Sequence, residues 1–85
     1  MRKEEILADV QLALLKINSD LDVRNITEPV ELVDGLGLDS LNLANLIESL
    51  RAKYSDINFM PWFIEAAKKG QDTVGRLVEF IEAKA

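Results

Sequence analysis

Apolar residues recur at helical spacing along most of this chain. From Arg2 to about Ile17 they occupy one face at positions i, i+4, i+7, i+8 and i+11, namely Ile6, Val10, Ala13, Leu14 and Ile17. Two acidic residues, Glu4 and Glu5, stand in the first turn, where the helix dipole favours negative charge. We predict a first helix that stops near Asn18, a residue that tolerates the left-handed conformation common at helix ends.

Three further helices follow from the same periodicity. The second runs from Ser40 to Tyr54, has Asp39 as its N-cap, and presents a core face made of Leu43, Leu46, Ile47, Leu50 and Tyr54. The third is short, from Pro61 to Lys69, and Gly70 follows its end. The fourth is capped by Asp72 or Thr73, and its core face is Val74, Leu77, Val78 and Ile81.

The segment from Asn18 to Asp39 lacks helical or strand periodicity and is broken by Pro29, Gly35 and Gly37. Its many apolar residues indicate a loop laid over the other elements, with one short helical turn around Glu31–Asp34. The chain therefore predicts an all-α fold, a four-helix bundle with a long first loop and a short third helix. Residues 1–85 form a single domain in this interpretation, since 85 residues suffice for one small core.

The charge and composition of the chain exclude several classes of protein. The net charge of −5 has the wrong sign for a nucleic-acid-binding protein. The acidic residues are concentrated in residues 1–48, where ten acids face four bases. Absence of cysteine excludes disulfides and thiolate metal sites, and no apolar run reaches the length of a membrane span. Without a signal-peptide core after Met1, we expect a cytoplasmic protein that binds neither nucleic acid nor membrane. We also expect a monomer, because no long apolar face is left over once the bundle closes.

Two apparent sites need separate consideration. Acidic residues match positions 1, 3, 9 and 12 of a calcium-binding loop at Asp20, Asp22, Glu28 and Glu31. Position 5 is Arg24 and position 6 is Asn25 rather than glycine, so we expect no metal site.

Ser40 is the candidate for covalent chemistry. With no histidine in the chain and no Gly-x-Ser-x-Gly motif, it lacks the base that a hydrolase requires, and we expect no intrinsic enzyme activity.

The residues Leu36-Gly37-Leu38-Asp39-Ser40-Leu41 resemble the Leu-Gly-x-Asp-Ser-Leu signature of the acyl carrier protein family. The long first loop and the Thr73-Val74 start of the last helix are similar to that family as well, so the resemblance covers nearly the whole chain. It implies that a phosphopantetheinyl transferase attaches phosphopantetheine, taken from coenzyme A, to Ser40. The chain would then carry acyl groups as thioesters between acyl-loading and acyl-processing enzymes of fatty-acid, polyketide or lipid biosynthesis.

The resemblance also implies a partner-binding surface beside Ser40, comprising Asp39, Leu41, Ala44, Asn45, Glu48 and Arg51. Fatty-acid carriers usually line the second helix with acids, whereas this chain has Asn42 and Asn45, then Arg51, Ala52 and Lys53. Since surface charges set association rate and specificity, we hypothesise a specialised carrier that couples poorly to general fatty-acid enzymes. Alternatively, the loss of acidic residues from this helix is a neutral change of the surface, and the partners are the usual ones.

Other interpretations remain open at this level. A peptidyl carrier protein would look similar, although Leu38 before Asp39 favours the acyl carrier type. An unmodified helical interaction module would use Asp39-Ser40 only as a helix cap. The adjacent aromatic residues Trp62 and Phe63 are interpreted either as core packing or as a wall of an acyl-chain cavity.

Overall fold

The computed structural model describes residues 2–85, and within them the regular elements are helical. The helices are α1 (Lys3–Ile17), α2 (Ser40–Arg51), α3 (Met60–Lys69) and α4 (Val74–Lys84), with a 3₁₀ turn at Val23–Asn25. The only extended pairing in this range is an isolated bridge between Glu31 and Thr73. The fold is the expected all-α four-helix bundle with a long first loop, and α3 is the shortest helix, at 10 residues.

The core lies where α1 packs against α2 and α4. The predicted faces are the buried ones: four of the five α1 positions are buried, with Ile17 half-buried, and all four α4 positions are fully buried. From α2, Leu46, Ile47 and Leu50 enter the core, while Leu43 is half-buried. The loop contributes Ile26, Leu32 and Leu38 to the same cluster, which explains how so long an irregular segment stays folded.

The predicted end of α2 was wrong by one turn. The helix ends at Arg51, but Tyr54 still lies in the core, and its N–H donates to the carbonyl of Leu50 at 2.8 Å. Lys53 and Tyr54 both reach the Asp9 carboxylate on α1, at 2.8 Å and 2.6 Å respectively. These contacts with another helix hold the chain after Arg51 as an irregular segment.

Two details of the loop were also wrong. Residues around Glu31–Asp34 form turns rather than helix, because Glu31 pairs with Thr73 at the start of α4. The helical turn lies at Val23–Asn25 instead, where the Asp22 carboxylate accepts a hydrogen bond from the Arg24 N–H. Asn18 does end α1, but in an extended conformation with φ −139°, and its side chain accepts from the N–H of Asp20.

The last two helices follow their sequence signals, except that α3 begins at Met60, one residue before the predicted start. Pro61 lies in the first turn of α3, and Gly70 follows its end in the left-handed conformation. Of the two candidate caps for α4, Thr73 is the one used: its hydroxyl accepts a hydrogen bond from the Arg76 N–H at 3.2 Å. Across residues 2–85, none of the helices combines the length and apolar character needed to cross a membrane.

Candidate functional site

The loop that leads to Ser40 is fastened to the start of α4. Asp72 is buried, and its carboxylate accepts a hydrogen bond from the Val33 N–H at 3.0 Å, while its carbonyl accepts from the Leu32 N–H at 2.8 Å. In return, the N–H of Val74 donates to the carbonyl of Val30 at 3.0 Å. Because these bonds satisfy backbone groups that the loop would otherwise bury unpaired, they hold it in one position.

The last residues of the loop place the serine at the surface. Leu38 is buried, and its N–H donates to the carbonyl of Leu32 at 3.2 Å. Gly37 before it has φ +71°, a conformation that residues with a Cβ rarely adopt. Directly after the buried Leu38, Asp39 and Ser40 are both exposed. A buried anchor thus fixes where an accessible serine begins the helix.

Asp39 and Asn42 form a reciprocal capping box at the start of α2. The Asp39 carboxylate accepts from the Asn42 N–H at 2.8 Å, and the Asn42 side-chain oxygen accepts from the Asp39 N–H at 3.2 Å. Sequence reasoning named Asp39 as the cap but not Asn42 as its partner, although an amide three residues after the cap is a known signal. The box positions Ser40 as the first residue of the helix.

This geometry suits a phosphate ester on Ser40. The first N–H groups of an α-helix have no preceding carbonyl within the helix, and the positive end of the dipole lies there. An anionic group on the Ser40 hydroxyl would therefore lie against donors and favourable charge. The neighbouring Asp39 carboxylate is engaged in the capping box, and the chain has no histidine. Activation of the hydroxyl would have to come from another protein.

An apolar cleft opens beside Ser40, between α2 and α3, with a volume of about 340 Å³. Apart from Ser40 itself, its lining residues are apolar: Leu43, Ala44 and Ile47 from α2, and Met60, Phe63, Ile64 and Ala67 from α3. Ligand sites of this kind combine an apolar lining with few polar groups. The cleft would accept a hydrocarbon chain and offers no charged partner to an ionic ligand.

All the residues predicted to bind partners are exposed. Asp39 precedes α2, and the other members occupy one side of the helix, since their spacing of three and four residues returns to the same face: Leu41, Ala44, Asn45, Glu48 and Arg51. Leu41 is 69% exposed, which is high for a large apolar side chain. Within this set of helical residues, Glu48 and Arg51 are the charged ones and have opposite signs. The structure thus places the predicted set on a single accessible surface of low net charge.

Comparison with known proteins decides the family. The chain is 39% identical, over 84 residues, to an acyl carrier protein of Exiguobacterium sp. (strain ATCC BAA-1283 / AT1b), and the match covers 99% of each protein. The chain belongs to the acyl carrier protein family. No family model matches it, and no solved structure does. Members of this family are carriers that interact with biosynthetic enzymes, and they normally bear a phosphopantetheine arm.

Two residues that sequence reasoning missed complete the surface around Ser40. Met60 and Ile64 line the cleft from α3 and are 49% and 55% exposed. The third helix was predicted to begin at Pro61, one residue after Met60, and the i, i+4 spacing of Met60 to Ile64 was the signal that would have placed both on one helix face. Together with Leu41, they account for three of the five large apolar side chains that are exposed within residues 2–85.

The adjacent aromatic residues of α3, Trp62 and Phe63, have different surroundings. Trp62 is half-buried and stacks on Phe80 of α4, with ring centroids 5.6 Å apart and an interplanar angle of 24°. Phe63, whose ring meets that of Trp62 edge to face at 5.0 Å, lines the cleft beside Ser40. Trp62 therefore packs between α3 and α4, whereas Phe63 belongs to the core and also forms part of the lining of the cleft.

Proposed function

We propose that this acyl carrier protein carries acyl intermediates as thioesters on a phosphopantetheine arm attached to Ser40. The observation that supports this most directly is the position of Ser40. It is exposed, it is the first residue of α2, and it is part of the lining of an apolar cleft. One residue thus combines access for a modifying enzyme, donors for a phosphate, and a neighbouring surface for a hydrocarbon chain.

The chain's own residues prepare the serine rather than activate it. In the loading step, the Ser40 oxygen would attack the β-phosphorus of coenzyme A, adenosine 3′,5′-bisphosphate would leave, and the serine proton would pass to a base of the phosphopantetheinyl transferase. The N–H groups at the start of α2 that the capping box leaves free would be available to the phosphodiester. The arm supplies the thiol that the cysteine-free chain lacks. Acyl-loading and acyl-processing enzymes would act on the acyl group.

We propose the exposed face of α2, with Asp39 at its start, as the surface that these enzymes contact. Leu41 beside Ser40 would supply apolar contact, since large apolar side chains at the centre of an interface carry much of its binding energy. The remaining surface is nearly neutral, which favours a specialised partner set over strongly basic enzymes. Whether the pathway makes fatty acids, polyketides or other lipids, the geometry of the modification is the same. The related acyl carrier protein favours neither a peptidyl carrier nor an unmodified module.

Intact mass spectrometry tests the proposal. The protein is incubated with coenzyme A and a broad-specificity phosphopantetheinyl transferase, alongside Ser40→Ala and Ser55→Ala. Ser55 is a matched control because it is also exposed but lies in the segment between α2 and α3. We expect the mass of one phosphopantetheine to be added to the wild type and to Ser55→Ala, and none to be added to Ser40→Ala.

The opposite results identify the competing interpretation. Folded wild type that accepts no phosphopantetheine from broad-specificity or native transferases would be an unmodified helical module, with Asp39-Ser40 acting as a cap. Addition that persists in Ser40→Ala would place the arm elsewhere on the chain.

A further inference from the structure

A groove between α1 and the end of α2 is separate from the cleft beside Ser40, because the two share no lining residue. Its volume is about 220 Å³. On the α1 side the lining residues follow the i, i+3, i+4, i+7 spacing of one helix face, and small residues lie opposite them: Asp9, Leu12, Ala13 and Lys16, then Ser49 and Ala52. This α1–α2 groove contains no residue of the capping box or of the proposed docking face of α2.

The middle of the α1–α2 groove offers an apolar contact. Leu12 lines it and is 56% exposed, and the side chains of Ala13 and Ala52 are short enough to leave a depression beside it. Single exposed apolar side chains are common on protein surfaces. Leu12 differs from these because it borders a concave surface that a side chain of a partner could fill, and apolar anchors of interfaces bind in such pockets.

A lysine stands at each end of the groove. Lys53 lies at one end, where its ammonium is 2.8 Å from the Asp9 carboxylate. Lys16 stands seven residues after Asp9 on α1, a rise of about 10 Å, and within residues 2–85 it forms no salt bridge. Asp9 is the one acid among the described lining residues, and the Tyr54 hydroxyl also donates to it. The groove is therefore a locally basic surface on a chain whose net charge is −5.

We propose that the α1–α2 groove docks an acidic helix of another protein, one with two carboxylates seven residues apart and an apolar residue between them. Seven residues of a partner helix return to the same face and rise about 10 Å, which matches the distance along α1 from Asp9, where Lys53 lies, to Lys16. The carboxylates would meet the two lysines, and the apolar residue would pack on Leu12. Lys53 can keep Asp9 as a partner, because an ammonium has three donors. This interface goes beyond acyl carriage and does not depend on modification of Ser40.

Charge and sequence argue against two other occupants of the groove. The net charge of −5 would repel an anionic membrane, and Leu12 is the single large apolar side chain that the described groove exposes, whereas membrane-surface helices bury a whole apolar face. A second copy of this chain lacks the required pattern, because no two acidic residues within α1, α2, α3 or α4 are seven positions apart. The acidic helix therefore belongs to a different protein.

The experiment titrates the isotope-labelled full chain with synthetic alanine-based helical peptides and follows the backbone amide shifts by NMR. The test peptide carries two glutamates seven positions apart, with a leucine between them on the same face. One control peptide replaces both glutamates by glutamine, and the other moves the second glutamate two positions, onto the opposite face. At low salt we expect the test peptide to bind on the order of tenfold more tightly than either control and to shift amides of the groove, because it alone forms both ion pairs.

Matched variants locate the binding site on the protein. Leu12→Ser and Lys16→Glu change exposed residues of the groove, and each should weaken binding of the test peptide on the order of tenfold. Ile64→Ser and Lys68→Glu are the controls. Ile64 is 55% exposed, close to the 56% of Leu12, and Lys68, like Lys16, lies in the last turn of its helix. We expect both controls to bind the test peptide as the wild type does.

Several outcomes would overturn the inference. Absence of binding, equal binding of the glutamine peptide, or a loss of binding in Ile64→Ser but not in Leu12→Ser would exclude the groove as the site for an acidic helix. Leu12-dependent binding to phosphatidylglycerol vesicles but not to the test peptide would identify a membrane contact instead. A dimer in sedimentation velocity that Lys16→Glu dissociates would identify a second copy as the occupant. None of these results bears on phosphopantetheine addition at Ser40, which intact mass tests separately.

Discussion

The Tyr54 hydroxyl donates a 2.6 Å hydrogen bond to Oδ2 of Asp9, a residue 45 positions earlier in the chain. The same carboxylate oxygen lies 2.8 Å from the Lys53 ammonium. This cluster joins α1 to the segment that connects α2 with α3. Since the side chains of α3 form one wall of the cleft beside Ser40, the cluster anchors one end of the connection on which that wall depends.

We predict that Tyr54→Phe lowers the free energy of unfolding by about 1.5–3 kcal/mol, the usual contribution of a hydrogen bond to a charged group. The ring stays buried in this variant, so the loss reports on the hydroxyl rather than on packing. Urea unfolding at neutral pH measures the change. In an Asp9→Asn background the same substitution should cost less. Equal costs in both backgrounds would show that the two side chains are not coupled.

We predict that this cluster makes the protein sensitive to acid. Burial alone would raise the pKa of the Asp9 carboxyl, but hydrogen bonds from Lys53 and Tyr54, with the Lys53 charge, outweigh it and hold that pKa below the usual 3.8. The unfolded chain therefore binds this proton more readily than the folded chain. The resulting stability is fully present above about pH 5 and is lost as the pH falls through the lowered pKa.

Asp9→Asn is the control for that prediction. We expect thermal unfolding of the wild type to move towards that of Asp9→Asn as the pH decreases from about 5 to below the ordinary carboxyl pKa, because protonation and substitution both remove the charge. A difference between the two proteins that stays constant over this range would show that Asp9 does not contribute to the acid sensitivity.

In the capping box before Ser40, we predict that the hydrogen bond of Asp39 and its charge contribute separately to stability. Asp39→Ala removes the acceptor of the Asn42 N–H and should lower the free energy of unfolding by about 1 kcal/mol. Asn is as good a cap as Asp, so Asp39→Asn should retain most of that stability while it removes the charge. Chemical denaturation of both variants measures this difference. If Asp39→Asn is as destabilised as Asp39→Ala, the charge and not the cap stabilises the helix start.

The low charge of the α2 face predicts weak coupling to enzymes with basic docking surfaces. Adding acids at two exposed positions, in the double variant Asn45→Asp/Arg51→Glu, should raise kcat/KM with a general ketoacyl synthase on the order of tenfold at low salt. The gain should shrink at high ionic strength, where surface charges are screened. Arg76→Glu on α4 is the control for the Arg51→Glu part of the double variant, because it reverses the charge of an exposed arginine on another helix. Wild type that is processed as efficiently as an acidic carrier would contradict the hypothesis of a specialised partner set.

We predict that adding a single methyl group at Gly35 in the long loop lowers the stability of the protein. A Cβ at this position would lie 2.5 Å from the Glu31 carbonyl oxygen and 2.8 Å from its nitrogen, both backbone atoms. Because backbone cannot move aside as a side-chain tip does, Gly35→Ala should cost about 1–3 kcal/mol. At Gly75 the nearest atoms are 3.1 Å away, so Gly75→Ala serves as the milder comparison. Calorimetric melting of both variants tests the order, and an equal loss in the two would be evidence against the crowding at Gly35.

Much of the bundle was determined by local sequence. Hydrophobic periodicity placed all four helices, and capping chemistry placed the start of α2 at Asp39-Ser40. Both signals operate over a few residues and need no knowledge of the rest of the chain. The accessible serine at a helix start, and the one-sided arrangement of the predicted partner residues along α2, follow from the same local rules.

Other features depended on contacts between distant segments. Tyr54 is buried beyond the end of its helix because Asp9 on α1 holds it, and residues near Glu31 form turns because Thr73 pairs with them. The cleft is decided in the same way, since Met60, Phe63 and Ile64 line it only once α3 lies against α2. The sequence alone determined which residues form helices and where the serine stands. Only the tertiary structure decided what lies beside that serine, because packing between helices depends on their relative positions, which periodicity within one helix does not specify.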